Sequence, residues 1–320
     1  AVRIGRPENW AEQDAAAVAL RGADPPPGAV APAEAEVAAA PPAGTAPPVS
    51  TVSYSSLGEY ARCGYRFYAE RVLGLPPVPE TRPPSEPPAG PRSAADRGVL
   101  LHAVLERLDF RRPVVPDRDA IAAAAVRARL SPPPGPAEAD ELAALIRRFA
   151  ATELCGRLGR ATNVRREERF AFPAADGVLV VGAVDVLARE SDPAHPGRAL
   201  VVDYKSDRLT ALTPPMVVEA EYATQRLVYA LAALRTGADG VQVAYCFLEA
   251  PDAPVVAEYH RSQAAELEAA LGQVSRGVLD REFTVSPAPH RGICGGCPAE
   301  GGLCSWPLEM TRRDSPDRLF

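Results

Sequence analysis

From Thr51 onward the apolar residues recur at helical spacing, and near Arg165 the spacing changes to every second residue. The first stretch opens on Ser56-x-x-Glu59, which reads as a capping box, and carries Leu57, Tyr60, Cys63, Phe67 and Leu73 along one helical stripe. A second helix is predicted from Ala94 through Gly98 and His102 to Glu106, and two more over Asp117–Leu130 and Ala137–Leu158, parted by Pro132-Pro-Pro-Gly135. The period-two segments Arg165–Phe172, Val178–Arg189 and Ala199–Lys205 predict strands, the last two joined by a turn at Asp192–Gly197. A helix over Pro215–Arg235, strands Val241–Glu249 and Val255–His260, and a helix over Ser262–Asp280 complete the pattern. No internal repeat is present. Mixed strands and helices in this order predict an α/β (α+β mixed) fold, a central mixed β-sheet flanked by helices.

Composition changes this picture at the ends. Of the 320 residues 35 are proline, and they cluster. Residues 22–48 are mostly Ala, Pro, Gly and Glu, too poor in large apolar side chains to offset the entropy of ordering, so residues 1–50 read as a largely disordered linker. Ile4, Trp10 and the Ala/Val run to Leu20 leave room for one short helix before it. The folded domain is expected over 51–310, with a proline-rich loop at Pro76–Pro91 and a tail at 311–320. A linker at the start suggests a module attached to a larger protein. The net charge of −6 argues against a protein that coats nucleic acid by bulk electrostatics, so such contact needs a local patch or a partner. Neither a membrane span nor a secretory signal is visible, which makes the cytoplasm the expected location. There, six cysteines are more often ligands or free thiols than disulfides.

Chemistry concentrates in four places. The apolar run Ala199-Leu-Val-Val-Asp-Tyr-Lys205 delivers Asp203 and Lys205 to one side of a strand and Tyr204 to the other. With Asp185 in Gly182-Ala-Val-Asp-Val-Leu, two carboxylates from neighbouring strands suit a divalent ion such as Mg²⁺, and Lys205 suits a phosphate or its attacking water. The plain alternative is a surface Asp–Lys pair worth under about 1 kcal/mol. His102 shares a helix face with Gly98 and Glu106 and is a candidate ligand, against the plain reading of a core or surface histidine. A glycine inside that helix marks close approach by another backbone. Gln225-x-x-x-Tyr229 presents an amide and a phenol on one face, suited to the lysine or a phosphate. Finally Cys294-x-x-Cys297 and Cys304 lie in a glycine-rich loop and need a fourth ligand, for which Cys63 is the candidate; zinc and an iron–sulfur cluster both fit. Cys155 and Cys246 sit in apolar patterns and read as ordinary buried thiols.

In this order the blocks Ser53–Leu57 leading to Cys63–Phe67, Arg97–His102, Gly182-x-x-Asp185, Val202-Asp-Tyr-Lys205, Gln225-x-x-x-Tyr229 and the cysteine trio resemble the RecB-like branch of the PD-(D/E)XK nuclease superfamily. The likeness covers Val52 to Trp306 and points to the iron–sulfur nuclease modules of AddAB- and AdnAB-type helicase–nucleases. The resemblance implies Mg²⁺ or Mn²⁺ held by His102, Asp185, Asp203 and the carbonyl of Tyr204, with Lys205 catalytic and Gln225 and Tyr229 completing the site. It further implies a [4Fe–4S] cluster on Cys63, Cys294, Cys297 and Cys304, acting as a staple. Glu167 matches a more variable acidic position. Gly64 departs from the proline that usually follows the first cysteine, and the proline-rich loop is longer than usual. No phosphate-binding GxxxxGK[ST] is present, so a helicase motor is expected elsewhere in the polypeptide or on a partner subunit. The expectation is a metal-dependent DNA exonuclease acting on single-stranded ends in double-strand-break repair. The alternatives are a CRISPR-adaptation-type exonuclease, a catalytically silent iron–sulfur DNA-binding subunit, and a zinc-stabilised interaction module.

Overall fold

The computed structural model describes residues 47–78, 92–174, 177–191, 194–206 and 213–314. The expected linker up to residue 46, most of the proline-rich loop and the last residues of the tail lie outside the described residues.

The chain enters through a two-residue strand, β1 (Thr51–Val52), that the sequence pattern did not reveal. Helix α1 (Tyr54–Arg62) begins one turn earlier than predicted. Its capping box is Ser53 with Ser56: the Ser53 hydroxyl accepts from the Ser56 amide at 3.1 Å, and the Ser56 hydroxyl accepts from the Ser53 amide at 2.8 Å. Glu59, expected in that role, pairs with Arg71. The stripe through Leu73 is not one helix either. Cys63 is extended at φ −159°, and α2 (Gly64–Phe67) then runs into a π-helical turn at Tyr68–Val72.

Helices α3 (Ala94–Leu105), α4 (Arg118–Arg127), α5 (Pro136–Ala150) and α6 (Glu153–Arg160) come next. The helix predicted over Ala137–Leu158 divides because Thr152 caps α6: its hydroxyl accepts from the Cys155 amide at 3.2 Å and donates to the Phe149 carbonyl at 2.7 Å. Strands β2 (Asn163–Pro173), β3 (Leu179–Arg189) and β4 (Arg198–Lys205) lead to α7 (Pro214–Glu221) and α8 (Ala223–Arg235), two helices where one was expected. Strands β5 (Gly240–Phe247) and β6 (Val255–His260) and helix α9 (Ala264–Leu279) complete the core. Short helices α10 (Arg291–Cys294) and α11 (Leu308–Thr311) flank the cysteine loop.

The six strands form one mixed sheet in the order β1-β3-β4-β5-β6, with β2 paired to β3. The β4–β5 and β1–β3 pairs are parallel and the rest antiparallel. Helices cover both faces, as a parallel centre demands. On one face Val201, Val243 and Phe247 pack with Val228 and Leu231 of α8 and with Leu267 and Leu271 of α9. On the other, Leu200, Val202, Tyr204 and Cys246 pack with Leu101, Ile121, Ile146 and Leu158 of α3 to α6. Every residue of β5 is buried, the mark of a central strand.

The sheet carries one irregularity, in β3 and its partner β2. Along β3, Val180 and Val184 belong to the first core, whereas Val186 and Ala188 belong to the second. All four are even-numbered, so the alternation slips by one at Asp185. The same happens in β2, where Phe170 and Phe172 face the first core but Val164 the second. There the slip falls on Glu167, whose φ of +47° is left-handed. The ladder pairs Arg166 with Val186 and Glu168 with Val184, which puts Glu167 across from Asp185. Both strands change faces on the same rung.

Candidate active site

The acidic rung coincides with a parting of strands. Pairing between β3 and β4 ends at Val186–Val202, and beyond it the Asp185 carboxylate takes over, with Oδ2 accepting from the Tyr204 amide at 2.7 Å. Asp185 therefore does not simply lie among polar positions on one strand face, as the alternation predicted; it stands at the crossover between faces. His102 reaches it from α3. Its Nδ1 lies 3.4 Å from Asp185 Oδ1, and its Nε2 donates to the Tyr204 carbonyl at 3.1 Å. Both ring nitrogens face acceptors, which favours the charged imidazolium. Burial opposes that charge, but the Asp185 bond and the charges of Asp185, Asp203 and Glu167 outweigh it and lift the His102 pKa from 6.5 to about 9. Glu167 is raised as well, first by burial and then by the neighbouring Asp185.

Ligand atoms of His102, Glu167 and Asp185 all lie within 4.8 Å of one another. His102 and Glu167 open onto a cleft of about 690 Å³ lined also by Gly98, Val99, Glu106 and Arg169. One imidazole and two carboxylates, beside a backbone carbonyl, form a donor set that fits Mg²⁺ or Mn²⁺.

Asp203 and Lys205 share the opposite face of β4 from Tyr204, as the alternation predicts: Tyr204 packs edge-on against Phe149 at 5.2 Å. Both charged residues are buried, and Lys205 Nζ lies 2.7 Å from Asp203 Oδ2. The plain reading of an exposed pair at a strand end is therefore excluded. Helix α8 supplies the partners. Gln225 accepts from Lys205 Nζ at 3.1 Å and donates to Asp203 Oδ1 at 3.0 Å, and the Tyr229 hydroxyl donates to the same oxygen at 3.1 Å. Burial pushes the Asp203 carboxyl upward, with the Lys205 ammonium pulling against it. The structure thus makes two linked groups: His102, Glu167, Asp185 and the Tyr204 carbonyl on one side, and Asp203, Lys205, Gln225 and Tyr229 on the other.

Two supports escaped the sequence reading. Arg97, buried despite its charge, donates to the Ser206 carbonyl at 3.1 Å and to Glu141 at 2.9 Å, which fastens the end of β4 to α3 and α5. Gly98 is tight for a related reason: a Cβ there would stand 2.8 Å from the Ser206 hydroxyl. The close neighbour is this side chain rather than the backbone expected beside a helical glycine.

At the far end of α1, Cys63, Cys294, Cys297 and Cys304 line one small cavity with Tyr65, Ile293 and Trp306. Arg66 holds its rim, donating to the Ile293 carbonyl at 2.5 Å and pairing with Glu70. Tyr65 donates to the Leu303 carbonyl at 3.1 Å, and Trp306 to that of Ser286 at 2.9 Å. Burial raises the thiols of Cys294 and Cys297. Among the described residues no three of these sulfurs lie within 4.8 Å of one another. Gly64 has a local reason: a Cβ would meet the Thr284 amide at 3.2 Å, so the tight packing disfavours any larger residue. Cys155 and Cys246 lie in the second core, where burial raises their thiols to about 11 and about 12. Among the described residues no helix is long and apolar enough to cross a membrane.

No curated protein matches the sequence. Among solved structures the chain is similar to SSO0001, with 13% identity over 78% of this chain and 82% of that one and a TM-score of 0.33. It is also similar to a protein of Eubacterium rectale provisionally named an exonuclease, with 14% identity over 82% of this chain and 92% of that one and a TM-score of 0.45. The family model of the PD-(D/E)XK nuclease superfamily matches residues 51–301, a span that contains the sheet, the acidic rung and the Asp203–Lys205 pair. The chain belongs to the PD-(D/E)XK nuclease superfamily.

Proposed function

We propose that the domain over 51–310 is a metal-dependent DNA exonuclease module of the RecB-like, helicase-associated kind, working on single-stranded ends in double-strand-break repair. The observation that carries this reading is the meeting of His102, Glu167 and Asp185 where β3 parts from β4, beside the buried Asp203–Lys205 pair. His102, Asp185, Asp203 and the Tyr204 carbonyl would hold Mg²⁺ or Mn²⁺, with Glu167 as a further carboxylate. Such an ion polarises a phosphodiester and acidifies a bound water.

The chain's own residues do the rest. Lys205, held by Gln225, offers its ammonium to the charge that grows on the phosphate and to the attacking water. Tyr229 and Gln225 fix the Asp203 carboxylate through two donated hydrogen bonds. The net charge of −6 fits a module that receives its DNA from a motor in the same polypeptide or on a partner subunit.

The four-cysteine cavity supports a [4Fe–4S] cluster on Cys63, Cys294, Cys297 and Cys304 as a staple between the two ends of the domain. The test is anaerobically purified protein on end-labelled single-stranded DNA, with Mg²⁺ or EDTA, beside Asp203→Ala, and iron and sulfide assayed on the same sample. Metal-dependent shortening absent from the variant supports the reading. A folded, iron-loaded protein that leaves DNA intact even when its helicase is supplied refutes the nuclease and favours the silent DNA-binding subunit.

A further inference from the structure

Lys205 is held by more than Asp203 and Gln225. We propose that Tyr222 is a positioning residue for Lys205, its ring forming the third wall of a cage around the ammonium; this rests on the nuclease reading. A lysine ammonium has three N–H donors on a flexible stem. One donates to Gln225 Oε1 at 3.1 Å, and Asp203 Oδ2 lies beside Nζ as an ion pair at 2.7 Å. On the remaining side the Tyr222 ring centroid lies 3.6 Å from Nζ, well inside the range at which an aromatic face attracts a cation. The ring is itself fixed. Tyr245 lies alongside it, with centroids 5.7 Å and planes 16° apart and its own centroid 5.4 Å from Nζ, and the Tyr245 hydroxyl donates to the Tyr222 carbonyl at 3.4 Å.

The placement explains a departure from the sequence pattern. Tyr222 is the residue at which the helix predicted over Pro215–Arg235 breaks into α7 and α8, its φ of −117° and ψ of 8° lying off the helical values. The break falls on the side chain that meets the ammonium, three residues before Gln225. An aromatic face also suits the electrostatics. A further carboxylate there would add negative charge beside Asp203, Asp185 and Glu167, and water would leave the ammonium hydrated and free to turn. A π face attracts the charge, excludes water, and yields easily when a phosphate oxygen arrives.

The test places leucine, phenylalanine and a series of increasingly fluorinated phenylalanines at position 222. Fluorination drains the π face while keeping the ring's shape. Tyr222→Leu should lower kcat roughly 2- to 30-fold with KM little changed, the range that corresponds to the strength of such contacts. Tyr222→Phe should recover most of that loss, and kcat should fall stepwise along the fluorinated series. A ring that serves packing alone gives a flat series, and a flat series overturns the proposal. A second measurement separates this from failure of the nuclease reading. In metal-free protein, Lys205 of Tyr222→Leu should react with acetic anhydride severalfold faster than in the wild type, read by mass spectrometry. If the wild type cuts no DNA even with its helicase supplied, the nuclease reading falls while acylation still tests the cage, and equal acylation rates overturn it.

Discussion

Asp185 carries a structural duty that is separable from any role as a ligand, and two substitutions divide them. Its Oδ2 is the acceptor for the Tyr204 amide at 2.7 Å, beyond the last paired rung of β3 and β4. Tyr204 is 3% exposed, so Asp185→Ala leaves that buried N–H without its protein acceptor. An orphaned buried donor costs about 1–3 kcal/mol. For a domain of this size each kcal/mol moves Tm by roughly 2–4 °C, so a fall of roughly 2–12 °C is expected from this bond alone. Asp185→Asn keeps an oxygen for the amide. Both variants lose the His102 pair and the repulsion with Glu167 and Asp203, so Asp185→Asn should melt above Asp185→Ala by the cost of the orphaned amide. Calorimetry in EDTA measures this difference. Adding Mn²⁺ then measures the ligand role: at about one hundred times Kd the wild type gains about 2.7 kcal/mol, whereas both variants gain little. Equal melting temperatures for the two variants in EDTA would refute the bridging role.

Other parts of the molecule respond in ways that can be measured separately. The His102 pKa is raised from 6.5 to about 9, so its stabilisation of the metal-free protein is complete below pH 6.5 and is lost as pH rises through 9; denaturant titrations across that window should show the loss, and His102→Gln should abolish it. Lys205→Ala should not be structurally silent, because it strands the buried Asp203; the variant should lose about 3–5 kcal/mol at about pH 8 and less at about pH 5, and adding Asp203→Asn should restore much of it. The proposed cluster predicts that Cys297→Ser removes iron and the absorbance at roughly 400 nm and lowers Tm, while Cys155→Ser leaves the iron and the absorbance unchanged. Gly98→Ala should destabilise through the Ser206 hydroxyl, and Gly98→Ala with Ser206→Ala should return to wild-type Tm or exceed it, since alanine favours a helix by about 1 kcal/mol.

The chemistry-bearing residues were legible where one local period governs them. Asp203, Tyr204 and Lys205 fall on the faces that strand alternation assigns, and Gln225 and Tyr229 share a face because four residues make a helical turn. Legibility ended where two elements decide the outcome together. The slip at Asp185 depends on Glu167 across the ladder, a residue far away in sequence, so β3 alone gives no hint of it. The helix breaks at Cys63, Thr152 and Tyr222 were hidden for a similar reason: the apolar stripe continues through each of them. A hydroxyl cap explains only the second. Arg97 went unnoticed because its partners, Ser206 and Glu141, are set by tertiary packing.

The rung shared by Glu167 and Asp185 also decides how the molecule tolerates change. Each strand fills one core on its way in and the other on its way out, and the rung at the changeover belongs to neither. Charge placed there displaces no apolar side chain, so the acidic site takes no volume from either core. The same arrangement binds the two strands into a single reading frame. An insertion of one residue in β2 or β3 alone would turn half of that strand inside out and carry its acid off the rung, whereas matched insertions in both would move the whole site along the sheet. Length in these strands is therefore inherited as a pair.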